Sequence, residues 1–152
     1  MPLLDTVRVL DLTNVLAGPF CCYQLAQLGA DVIKVEVPGS GYLARQLGAD
    51  VDLSKQLMGA SFLAQNAGKR SITINLKNGD GQEVFRRLVA TADVVVENFR
   101  PAVMDRLGLG YQALKAIKPN LIYCAISGFG QRRSSAARAA ACARRRHRTN
   151  SD

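Results

Sequence analysis

Asp93-Val94-Val95-Val96-Glu97-Asn98-Phe99-Arg100-Pro101 is the stretch that decides how this chain folds. Three β-branched residues in succession, entered through Ala92-Asp93, have the composition of a parallel strand buried on both faces, where alternation with polar residues is not expected. The polar pair Glu97-Asn98 stands where that strand runs out. In open α/β sheets this is the edge at which ligands sit.

Working outward, short β-rich runs alternate with amphipathic helical stretches from Met1 to Gln131, the order of an α/β fold built on a Rossmann-like, doubly wound, mainly parallel sheet. Strands are expected over residues 7–13, 31–37, 71–76, 93–97 and 121–126, and helices over 19–28, 53–65, 81–91, 102–107 and 111–117. Pro19 suits a first helical position, and Gly29 suits the residue just past that helix's end. From Arg132 onward there is no Leu, Ile, Val, Phe, Tyr or Gly, so neither a strand nor a packed helix can be drawn. The expected division is therefore a domain over residues 1–131 and an irregular or disordered Arg/Ala-rich tail over 132–152.

The charge belongs to that tail. The 152 residues carry a formal +8, but Arg132, Arg133, Arg138, Arg144, Arg145, Arg146 and Arg148 against Asp152 alone account for +6 of it. The remaining +2 over residues 1–131 is no signature of a nucleic-acid-binding domain. A hydrophobic content of 48% suffices for one ordinary core. No apolar run approaches bilayer length and the start lacks a secretory signal, so a cytoplasmic protein is expected. Cys21 and Cys22 are adjacent and cannot bridge each other without strain, and Cys124 ends a strand, so these read as core thiols. No Cys-x-x-Cys exists and the one histidine is His147, so neither a zinc site nor a Ser-His-Asp, Cys-His or histidine general-base site fits the domain.

The opening stretch, with Met104-Asp105-Arg106-Leu107-Gly108-Leu109-Gly110-Tyr111 after it, resembles the "ADVVxENFRPGxxxRLGLGY" signature of the class III coenzyme A transferases, the CaiB/BaiF family. Leu16-Ala17-Gly18-Pro19 is similar to that family's "AGP" turn, and Leu28-Gly29-Ala30-Asp31-Val32-Ile33-Lys34-Val35-Glu36 to its "LGADVIKVE" strand. Asn66-Ala67-Gly68-Lys69-Arg70-Ser71 and Asn120-Leu121-Ile122-Tyr123-Cys124 follow in the family's order, and the resemblance runs to Gln131. There the family continues Thr-Gly-Pro into further folded sequence, whereas this chain turns Arg/Ala-rich. Residues 132–152 are therefore read as out-of-frame sequence on a truncated transferase, with a natural Arg-rich extension as the alternative.

The resemblance implies a partial coenzyme A-binding domain that acts, in the whole protein, on acyl-CoA and a carboxylic acid, within an interlaced homodimer and without a metal. It implies contacts from the turn Val15, Leu16, Ala17 and Gly18, from Arg45 beyond the Pro38-Gly39-Ser40-Gly41 loop, and from Lys69 and Arg70. The family has Asp after that loop's second glycine, where this chain has Tyr42. Asn98 is assigned to the pantetheine or acyl group, Phe99 to the thiol end and Arg106 to phosphate, with Ser127, Gly128 and Phe129 near the acyl site. Taken alone, Asn98 could instead cap the next helix, Phe99 could be core, and Lys69-Arg70 could be solvated charges. The family's nucleophilic aspartate lies in a "DxxxG" segment beyond the divergence, so this chain is expected to be inactive. An acyl-CoA racemase fragment of the same family is an alternative, as is an Arg-rich nucleic-acid binder. A dinucleotide oxidoreductase ranks last, because no Gly-x-Gly-x-x-Gly follows the first strand.

Overall fold

A computed structural model describes residues 1–128 and Gly130; the expectations for Phe129 and for residues 132–152 lie outside them. Five strands form one sheet in the order β3-β2-β1-β4-β5, and all four pairings are parallel. They are β1 (Arg8–Asp11), β2 (Asp31–Glu36), β3 (Arg70–Thr73), β4 (Val94–Glu97) and β5 (Ile122–Ala125). The expected doubly wound parallel sheet is thus the one observed. Its order reverses between β1 and β4, a topological switch point of the kind at which α/β sheets open a ligand crevice.

Both faces of the sheet are covered, which is why β4 needs three valines rather than an alternating pattern. Val95 packs with Leu10, Ile33 and Leu12 against Phe85 and Val89 of α4 (Gly79–Ala90) and Leu114 of α6 (Tyr111–Ile117). Val96 faces the other way, joining Val9, Val32 and Cys22 of α1 (Ala17–Gln27). Helix α1 ends at Gly29, whose φ of +103° is open to glycine alone without strain. Its N–H bonds the Ala26 carbonyl at 2.9 Å while that of Ala30 bonds Leu25 at 3.0 Å, the paired pattern of a Schellman stop.

The single helix expected over 53–65 is two, α2 (Val51–Lys55) and α3 (Ala60–Asn66), preceded by a 3₁₀ turn at Leu43–Gln46. The break is a packing decision. Gly59 donates its N–H to the Arg45 carbonyl at 2.8 Å, and a Cβ there would stand 2.5 Å from the Leu47 carbonyl oxygen. Leu57 takes φ +60° to bring it about. A short helix α5 (Val103–Arg106) completes the set. Its N-cap, Ala102, lies at φ +64°, in the place where the transferase signature carries glycine.

Candidate functional site

A cavity of about 470 Å³ opens at the carboxyl ends of the strands, on the switch-point edge. Asn14 beyond β1, Pro38 beyond β2 and Ile74 and Lys77 beyond β3 line it, and Phe99 and Leu107 close it from the β4 side. A second cavity of about 550 Å³ lies across α5, with Glu97, Arg100, Tyr111 and Tyr123 among its walls. Val103 of α5 borders both.

The turn leading from β1 into α1 is held from several sides. The Asn98 side chain donates from Nδ2 to the Asn14 carbonyl at 2.7 Å and accepts the Asn14 N–H at 2.6 Å. Gly18 permits close approach to the strand, since a Cβ on it would collide with that of Thr13. Between them Val15 has φ +69°, a strained value for a β-branched residue, and its side chain is 54% exposed. Leu16 is exposed as well.

Beneath this turn lies a buried ionic group. Asp11 Oδ1 accepts from Lys34 Nζ at 3.1 Å and Oδ2 from Lys69 Nζ at 2.8 Å. Lys34 also donates to the Thr13 carbonyl and Lys69 to the Pro19 carbonyl at 2.9 Å. The Thr13 hydroxyl donates to Asp11 at 2.6 Å. Burial would raise the Asp11 pKa, but the two lysines and the Thr13 hydroxyl outweigh it and hold the carboxyl below its usual range. Burial pulls Lys34 down, against the attraction of Asp11.

Arg45 forks onto Glu36, with Nε to Oε2 at 2.6 Å and Nη2 to Oε1 at 2.8 Å, and its guanidinium lies 3.7 Å from the Phe62 ring centroid. Glu36 also accepts the Tyr42 N–H at 2.9 Å, so the residue standing where the family has Asp is tied to the loop's base by its backbone. Burial works to raise the Glu36 pKa; Arg45, Ser71 and the Tyr42 amide overcome it and leave it lowered.

The sequence-derived set is therefore dispersed by the fold. Of the set, Phe99 alone lines the cavity; Asn98 bonds the Asn14 backbone that leads into Val15, Leu16, Ala17 and Gly18, none of which lines it, and Arg45 braces the loop beside it through Glu36. Lys69 reaches the turn from below as a buried group. Arg70, its neighbour in sequence, turns to Asp31 at 2.6 Å, joining Arg8 at the start of β1 and β2 and away from the cavity. Arg106 is exposed at the end of α5, next in sequence to the lining residue Leu107. Sequence reasoning passed over Lys77, an exposed cation at the cavity; its position in Leu76-Lys77-Asn78-Gly79, where a strand gives way to a capped helix, was the available signal.

Glu97 is the other group that the fold singles out. Only 5% exposed, it accepts the Phe99 N–H at 2.7 Å and a long hydrogen bond of 3.4 Å from the Tyr123 hydroxyl. Burial raises its pKa above the usual glutamate range, and the charge of Asp105 adds to the rise.

Comparison with known proteins bears on the family and the fold. CoA-transferase family III matches residues 4–142, reaching into the Arg/Ala-rich segment. A succinyl-CoA:mesaconate CoA-transferase of Haloarcula marismortui is 46% identical over 134 residues, 88% of this chain and 34% of that protein. A formyl-CoA:oxalate CoA-transferase of Rhodopseudomonas palustris is 48% identical over 127 residues, 84% of this chain and 29% of its own length. A crystal structure of a CaiB/BaiF family protein from Brucella suis superimposes with a TM-score of 0.79 at 47% identity, covering 88% of this chain and 35% of that one. The chain thus spans about a third of the length of the relatives it matches. With a parallel sheet in the order 3-2-1-4-5 and a sequence match over most of its length, the chain belongs to CoA-transferase family III.

Proposed function

We propose that this chain is the coenzyme A-binding portion of an enzyme that moves coenzyme A from an acyl-CoA to a carboxylic acid. The observation that carries the proposal is the cavity at the β1/β4 switch point in a chain of this family. Coenzyme A requires an apolar slot for its base and cations for its phosphates. Ile74, Phe99 and Leu107 offer the slot, and Lys77, with Arg106 beside Leu107, offers the charge. The turn of residues 15–18 approaches the ligand through its backbone, and Asn98 serves the site by fixing that turn. Arg45, engaged by Glu36, acts as a support for the loop.

Transfer through an acyl-enzyme anhydride needs a carboxylate that the thioester can reach. Asp11, the aspartate at the end of β1, is fully buried and bound by two lysines, which excludes it from that role. By resemblance to the family, the nucleophile belongs to a segment past the point where this chain diverges. Calorimetric titration with coenzyme A tests the binding site. Lys77→Ala is expected to weaken affinity about tenfold, the loss of one charge-assisted hydrogen bond, while Arg70→Ala on the opposite strand ends leaves it unchanged. Equal losses from the two substitutions would reduce the site to diffuse positive charge and overturn the reading.

A further inference from the structure

We infer that Lys34 and Lys69 are positioning residues that hold the turn of residues 14–18 in a strained, preset shape through their shared partner Asp11. The first support is the strain itself. Val15 keeps a left-handed backbone although its side chain is 54% exposed, so burial of that side chain does not compensate for it. Something else must fix the turn.

The second support is where the two ammonium groups point. Lys34 donates to the carbonyl of Thr13, just before the turn, and Lys69 to the carbonyl of Pro19, just past it in the first turn of α1, with 2.9 Å for the latter. Both then meet one carboxylate, at 3.1 and 2.8 Å. The two ends of the turn are thereby tied to a single point under it. Asn98 adds a tie at Asn14.

Charge balance makes the same argument from another direction. One lysine suffices to neutralise Asp11, and the second brings a surplus charge into a site where the lysine side chains are 2% and 1% exposed. Burying a second cation beside one carboxylate opposes folding stability, so charge pairing alone does not account for its place there. Tying the far end of the turn is the task the geometry displays. The inference deepens the coenzyme A reading and rests on it for the ligand: a turn ordered beforehand loses little conformational freedom when the ligand arrives.

Backbone ¹⁵N relaxation on the ligand-free chain tests the brace. Lys69→Met leaves Asp11 paired with Lys34 and is expected to stay folded; Lys34→Met is the companion variant. In either, order parameters for Val15, Leu16, Ala17 and Gly18 should fall from about 0.85 to below about 0.6, while those of Val95 and Val96 in β4 stay at wild-type values. A turn that remains rigid in both variants overturns the inference. So does a loss shared with Val95 and Val96, which would mark the lysines as general structural residues. Titration of the same variants with coenzyme A addresses the ligand: affinity about tenfold weaker for a loosened turn supports presetting, and unchanged affinity overturns it. Absence of coenzyme A binding by the wild-type chain would refute the proposed function, and the relaxation result would still decide the brace.

Discussion

Asn98 and the backbone of Asn14, 84 residues apart, exchange two hydrogen bonds of 2.7 and 2.6 Å that lock the end of β4 to the end of β1. This joins the two strands at the point where the sheet order reverses. Asn98→Ala leaves both backbone groups of Asn14 without protein partners, and an expected loss of about 2 kcal/mol follows. Urea unfolding of the two proteins checks it; a change below about 0.5 kcal/mol would show that water replaces the amide at no cost.

Arg45→Met should destabilise by about 3 kcal/mol at neutral pH, because it strands the nearly buried Glu36 carboxylate. The sign of the pH dependence follows from the lowered Glu36 pKa. In the wild type, the stabilisation is present above the unfolded-state pKa and is lost as pH falls through the depressed folded value. In the variant, burial without Arg45 raises the same pKa, so the carboxyl protonates early and the penalty shrinks on acidification. Unfolding midpoints followed from neutral to acid pH should converge; a gap independent of pH would assign the loss to packing on Phe62 instead.

Glu97→Gln is expected to stabilise the chain at neutral pH. Burial raises the folded-state pKa of Glu97, so the carboxylate disfavours folding as pH rises through that value, whereas below the unfolded-state pKa of about 4.3 both states are protonated and no penalty exists. The introduced side-chain amide can still accept from the Phe99 N–H through its oxygen. The advantage of the variant should therefore grow with pH and vanish in acid. Thermal denaturation across that range decides the point, and a variant less stable at every pH would show that the carboxylate makes a compensating contact.

Ala102→Gly should stabilise by about 1 kcal/mol, since an alanine at φ +64° carries the left-handed penalty and its exposed side chain contributes little in return. A lower unfolding midpoint in denaturant would mean that the loss of backbone restriction in the unfolded chain outweighs the relief.

The sequence by itself determined the alternation of strands and helices, the burial of Val95 and Val96 on opposite faces, the stop at Gly29 and the family, because these depend on composition and on neighbours a few residues away. Tertiary structure alone decided what the charged residues do. Lys69 and Arg70 are adjacent, yet one binds Asp11 under the turn and the other Asp31 at the opposite strand ends. Lys34, embedded in an apolar run, is buried because β1 brings Asp11 alongside it in register. Gly59 breaks a helix that its own neighbours favour, to meet carbonyls of an earlier turn. Partners such as these lie a dozen or more residues away, where local propensity carries no information, and strand register or the packing of one turn on another brings them together.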